Sequence, residues 1–124
     1  MRGMPDSRKQ IGARGERIAA EHLRKLRYKI RETNFRRREG EIDIVAQDKD
    51  CLVFVEVRTR TGADFGTPEE SVTAAKKEKL ISLALAYLQT HSNLPSLWRI
   101  DVVAIELDQD GKVSRIELIH DAVS

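Results

Sequence analysis

The stretch GEIDIVAQDKDCLVFVEVR, Gly40 to Arg58, decides how this chain folds. Glu41 to Gln47 alternates carboxylates with apolar groups, Leu52 to Val57 is β-branched and aromatic, and the polar tetrapeptide Gln47 to Asp50 lies between them. This is the pattern of a β-hairpin. Side chains along a strand alternate faces, so Glu41, Asp43 and Val45 share one face, and Leu52, Phe54, Glu56 and Arg58 share one face of the partner. A two-residue loop at Asp48-Lys49 or a four-residue loop at Gln47 to Asp50 sets Val45 opposite Leu52, Asp43 opposite Phe54 and Glu41 opposite Glu56. All the acids then lie together with Arg58. A loop of three or five residues would put them on opposite faces, so the expectation rests on an even loop.

Directly opposed Glu41 and Glu56 repel at cross-strand distance unless a cation sits near them. Two kinds of cation fit. A hard divalent ion such as Mg²⁺ takes carboxylate oxygens, and Asp43 and Glu56 are suitable bridging ligands for it. Alternatively, Arg58 and the arginines of the preceding loop neutralise the cluster as ordinary ion pairs. On the residues alone both readings stand.

Working outward, Ile11, Gly15, Ile18, Ala19, His22, Leu23 and Leu26 recur at helical spacing and predict a first helix from about Arg8 to Arg27. Glu16 falls about 100° from the centre of that stripe, where it looks either at a cleft or at water. Tyr28 to Asn34 reads as a first strand and Phe35 to Gly40 as a loop. Beyond the hairpin, Gly62, Gly66 and Pro68 punctuate a loop from Thr59 to about Val72. Thr73 then caps a second helix to about His91, with an earlier start at Thr67 also open. Lys77, Leu80, Ile81, Ala84, Tyr87 and Leu88 form its inward stripe, widened by Leu83 and Leu85. Trp98 to Leu107 and Lys112 to Ile119 read as two further strands joined around Gly111. Residues 1–8 read as a disordered leader and 9–124 as one domain. The order α-β-β-β-α-β-β implies an α/β (α+β) fold, a mixed sheet flanked by helices.

The longest nearly apolar run, Leu80 to Leu88, is too short to span a bilayer, and the polar start lacks the apolar core of a signal peptide. A cytoplasmic protein with no membrane partner is the expectation. Cys51 is the only cysteine, which excludes an intrachain disulfide and a cysteine-based zinc site. His22, His91 and His120 show no ligand spacing, and no Ser-His-Asp set, P-loop or dinucleotide fingerprint is present. Trp98 and Phe35 read as core or core rim, and Asp101 as the partner of an arginine. Net charge is only +2, but Lys25 and Arg27 at the end of helix one and Arg36, Arg37 and Arg38 in the next loop belong to a run of eight basic residues against one acid, Glu32, between positions 24 and 38. Such a run either follows a phosphate backbone or solvates a helix end and a loop.

The pieces GARGERIAAEHL, NFRRREGEIDIVA, LVFVEVRTR, FGTPEESVTAAKKEKL and WRIDVVAI, in this order, resemble the YraN-type family of small uncharacterised bacterial proteins. The resemblance covers Gln10 to Ala122. It implies a restriction-endonuclease-like fold, close to archaeal Holliday-junction resolvases, which act as homodimers on two-fold symmetric junctions. It further implies Asp43 and Glu56 as metal ligands, the backbone carbonyl of Val57 as a third, and Glu16 as a helix-one acid brought near the metal. The nuclease motif ends in lysine, E-x-K, and Arg58 stands in that place. Arginine keeps the charge but is planar, bulkier and essentially never deprotonated. Lys76 also matches a family lysine, and either serves the same cavity from helix two or is a solvated first-turn residue.

These readings combine into a Mg²⁺- or Mn²⁺-dependent endonuclease-like protein acting on branched or otherwise structured DNA. In it Asp43 and Glu56 hold the metal, Glu41 and Glu16 complete its surroundings, and Arg58 holds the scissile phosphate. A nucleic-acid binder that no longer cuts, and a protein-interaction adaptor, are the rival expectations.

Overall fold

A computed structural model describes residues 7–62 and 66–122. Its elements are α1 (Arg8–Lys25), β1 (Lys29–Arg37), β2 (Gly40–Asp48), β3 (Cys51–Thr61), a 3₁₀ turn (Glu69–Ser71), α2 (Ala74–Thr90), β4 (Leu97–Leu107) and β5 (Val113–Ile119). The expected order α-β-β-β-α-β-β is the order found. Residues 1–6, most of the expected leader, lie outside the described residues. Ser7 closes a capping box with Gln10 and starts α1, and Thr73 accepts from the Lys76 N–H and starts α2. The alternative start of α2 at Thr67 is replaced by the 3₁₀ turn, because Pro68 sits just ahead of it in helical geometry and Val72 returns to extended backbone.

The five strands form one sheet in the order β1-β2-β3-β4-β5. β3 and β4 are parallel and the other pairs antiparallel. A parallel pair needs a crossover, and α2 supplies it. Each face of the sheet carries one helix. On one, Leu80, Leu83, Ala84 and Tyr87 of α2 pack on Phe35, Ile42, Val45, Leu52, Phe54, Ile100 and Val102. On the other, Ala19, Ala20 and Leu23 of α1 pack on Ile44, Ala46, Val53, Val55, Val103 and Ile105. Phe54 anchors the α2 side, edge-on to Tyr87 at 5.5 Å and to Trp98 at 5.9 Å. Truncating it to alanine should cost about 3–5 kcal/mol. Leu85 and Lys77, expected in the stripe of α2, are exposed; the seventeen-residue helix needs only a narrower face to cover the sheet.

Two boundaries move in ways that matter. β1 continues through Arg37 and β3 through Thr61, so Phe35 to Arg37 and Thr59 to Thr61 are strand rather than loop. Neighbours decide this, since Arg36 and Arg37 pair with Glu41 and Gly40, and Thr59 to Thr61 pair along β4. Gly15 sets how close α1 comes to the sheet, because a Cβ there would fall 2.1 Å from Thr59 Oγ1.

Candidate metal centre

The hairpin turns on Lys49 and Asp50, with Lys49 at φ 54°, and its pairs run from Asp48–Cys51 to Ile44–Val55. The register therefore differs by two residues from the expected one, and Glu41 does not stand opposite Glu56. A shift of two preserves the faces. Continued by one position, it sets Asp43 against Glu56 where regular pairing stops and the two strands part. The cause lies in β1 and β2 together. Ile42 and Val45 both face α2 while Ile44 faces α1, so strict alternation fails at Asp43. The neighbouring β1 residue, Asn34, lies between the pairs Thr33–Ile44 and Phe35–Ile42 and has φ 55°. Asparagine tolerates this left-handed backbone better than other non-glycine residues. The expected common face of Glu41, Asp43 and Val45 is thus corrected: Val45 joins the α2 core, and the distortion releases Asp43 into a cleft.

Asp43 is 9% exposed and Glu56 3%. The Val57 N–H donates to Asp43 Oδ2 at 2.7 Å. Burial is the main force on the Asp43 carboxyl and the adjacent Glu56 adds to it; with the Glu16 charge they push it up to about 9 against the pull of the Val57 N–H. Carboxylate oxygens of Glu16, Glu41 and Asp43 lie within 4.8 Å of one another. Asn34 Nδ2 bridges this group, donating to Glu16 at 2.8 Å and to Glu41 at 3.3 Å. Burial pushes the Glu41 carboxyl up, but hydrogen bonds from Arg36 and Asn34 outweigh it and hold the group below its ordinary value.

The cations differ from the expected set. Arg58 lies on the strand position expected to share a face with Glu56, yet its Nε donates to Ser71 Oγ at 2.7 Å, and its closest nitrogen to Glu56 is 4.0 Å away. Ser71 is itself held by the Pro68 carbonyl. Lys76 Nζ lies 3.1 Å from Glu56 Oε2, so the reading of Lys76 as merely solvated is set aside. Val57 lines the same cavity and contributes its N–H.

The basic run does not gather into one patch. Lys25 and Arg27 lie before β1 and Arg36 to Arg38 at its far end, roughly 26 Å apart at strand rise. Arg36 forms an ion pair with Glu41, and Arg37 lies over the Phe35 ring at 4.8 Å with a hydrogen bond to Thr90. Asp101, fully buried, accepts from Arg99 Nε at 3.1 Å on both oxygens and from the Asp121 N–H, as an arginine partner should.

Sequence reasoning missed Asn34 and Ser71 as members of the site, whereas Arg36 meets Glu41 as the ion-pair alternative for the preceding arginines anticipated. Asn34 was visible as a residue disfavoured in strand interiors. Nothing local marked Ser71, which reaches Arg58 across thirteen positions of chain.

Glu16, Glu41 and Asp43 offer oxygens close enough together for a hard divalent ion, which takes oxygen ligands, and Glu56 adjoins this group through Asp43. A carboxyl pushed up by burial and by a neighbouring carboxylate is also short of positive charge, as an acid pair suited to a cation would be.

The profile of the family described as "Uncharacterised protein family UPF0102" matches residues 15–105. A UPF0102 protein of Pelotomaculum thermopropionicum is 44% identical over 119 residues, covering 96% of this chain and 99% of that relative. One of Symbiobacterium thermophilum is 47% identical, covering 92% and 96%. One of Geobacter sulfurreducens is 48% identical, covering 92% and 88%.

Proposed function

This chain belongs to the uncharacterised protein family UPF0102, and from that premise we propose that it is a divalent-metal-dependent endonuclease acting on branched or otherwise structured DNA. The observation that carries the reading is the buried Asp43–Glu56 pair at the fork of β2 and β3, with Glu16 and Glu41 beside it. A Mg²⁺ or Mn²⁺ ion held by Asp43 and Glu56 would supply charge for a phosphoryl oxygen and lower the pKa of a bound water. The chain's own groups do the rest. Lys76, at the start of α2 and against Glu56, offers ammonium N–H donors at the cavity where the phosphate must come. Glu41, kept ionised by Arg36 and Asn34, faces Glu16 and Asp43 and adds negative charge toward the cation. Arg58 stays clear of the acids on Ser71, with its guanidinium lining the cavity as a phosphate contact.

One observation favours a second reading, in which the protein binds nucleic acid without cutting it. Arg58 occupies the place of the motif lysine and is turned to Ser71 rather than to the acid pair. Mn²⁺-dependent cleavage of a panel of junction, flap and duplex DNAs separates the two. Wild type should cut at least one branched substrate and Asp43→Asn none. A wild type that binds these DNAs and leaves all of them intact sinks the hydrolytic reading.

A further inference from the structure

Two cavities meet at the acid pair. One, of about 630 Å³, lies against the first half of α1 and the end of β3, and includes Arg8, Gly12, Glu16 and Arg60. The other, of about 460 Å³, lies against the first turns of α2 and includes Glu41 and Lys79. They share Asp43, Glu56 and Lys76 and so form one groove across the forked strands.

Gly12 is the unexplained residue of that groove. Inside a helix, glycine is a poorer choice than any residue except proline. Gly15 has a reason to be glycine in Thr59, but a Cβ built on Gly12 meets no described atom within 4 Å. Packing within the protein does not require the missing side chain, and its absence leaves one turn of α1 bare toward the groove. Arg58 and Lys76 of the groove are engaged by Ser71 and Glu56, but three of its other cations are uncommitted. Glu16, Glu41, Asp43 and Glu56 engage one another, Asn34, Arg36 and Lys76. Among the described residues Arg8, Arg60 and Lys79 have no hydrogen-bonding or ion-pair partner for their side chains. Arg8 stands one helical turn before Gly12, on the same face.

We infer that this groove is the track of a phosphodiester backbone, which passes over Gly12 between Arg8 and Arg60, crosses the acid pair, and leaves past Lys79. The inference rests on the nucleic-acid reading above and adds where the strand lies. A bare helix turn admits the close approach of a backbone. Cations on either side of it hold phosphates without reading bases, so binding on this track is indifferent to sequence. The Arg36–Arg38 segment at the end of β1 is the lesser contact, since Glu41 and Phe35 engage two of its three arginines.

The test is fluorescence anisotropy in EDTA with a short labelled single strand, the matching duplex and a four-way junction, between roughly 50 and 200 mM salt. Gly12→Leu places a better helix former over open space. It should keep or raise Tm while weakening binding by about ten-fold or more, the effect of a clash built against the ligand. Arg60→Ala with Lys79→Ala should flatten the slope of log K against log salt by about 1.4–1.8, two phosphates' worth. Arg38→Ala should change little. Wild-type affinity in a folded Gly12→Leu, or an unchanged slope in the double variant, overturns the track, and should Gly12→Leu lose its fold the slope alone decides. If the wild type binds none of the three probes, either in EDTA or with Ca²⁺ added to neutralise the acids, the nucleic-acid reading falls and the track with it. If it binds them through these residues yet cuts nothing in Mn²⁺, only the hydrolytic reading falls.

Discussion

Lys76 Nζ lies 3.1 Å from Glu56 Oε2, whereas the guanidinium of Arg58, two residues along the strand from Glu56, comes no closer than 4.0 Å. A residue from the next helix is therefore nearer the acid pair than the neighbour in sequence, because Ser71 draws the arginine aside.

This arrangement reverses the simple expectation for the two cations. Lys76→Ala should lower metal-dependent cleavage by roughly 10²-fold, the scale of one well-placed transition-state group, while Arg58→Lys should leave it within a few-fold of wild type. Single-turnover rates on the best-cut junction provide the comparison. A large gain from Arg58→Lys, with Lys76→Ala harmless, would return the working position to β3.

The acid pair should also show itself in stability. The folded-state pKa of Asp43 is raised to about 9 from an ordinary 3.8, so between these values the folded state binds more protons than the unfolded one. The sign follows from linkage: this contribution falls as pH rises from about 4 toward about 9. Urea midpoints for Asp43→Asn, whose amide cannot ionise, should fall less over that range than those of wild type. Mn²⁺ should raise the wild-type midpoint at the upper end of the range and leave that of Asp43→Asn unmoved. Parallel pH profiles for the two proteins would contradict the strained pair.

Glu69 has the opposite sign. Hydrogen bonds from Arg115, closing a two-point contact at 2.8 and 3.0 Å, lower its carboxyl from 4.5 to about 2. The stability it contributes is complete above about 4.5 and lost as pH falls toward about 2. Glu69→Gln should therefore unfold more readily than wild type at pH 6, with the difference shrinking below pH 4. Equal midpoints at pH 6 would mean that the contact does not hold the 3₁₀ turn to the sheet.

The two helix glycines should respond in opposite directions. Gly12→Ala gains helix propensity at no steric cost and should stabilise by about 0.5–1 kcal/mol. Gly15→Ala drives a methyl to 2.1 Å from Thr59 Oγ1 and should destabilise by about 1–3 kcal/mol. Thr59→Ala in the same chain should recover part of that loss, because the two sites touch. Additive effects of Gly15→Ala and Thr59→Ala in thermal melts would place the strain elsewhere.

Element order, the capped start of α2, the β-hairpin and the shared face of Leu52, Phe54, Glu56 and Arg58 were legible in the residues themselves. They follow from local rules: a side-chain period of two or 3.6, a threonine before a helical stripe, a polar break between two strands. The identity of the buried acids was legible too, since carboxylates among β-branched residues are conspicuous. The register was not, because loops of the same parity give the same faces, and choosing among them takes the neighbouring strand. Nor was the break of alternation at Asp43, which depends on the left-handed turn of Asn34 in β1. The partners of the cations were out of reach for the same reason. Whether Arg58 meets Glu56 or Ser71, and whether Arg36 meets phosphate or Glu41, is settled by segments far apart along the chain and brought together only by packing. Local sequence specifies which groups are available and which way a strand points them; the distances that decide which charge meets which are properties of the assembled sheet and helices.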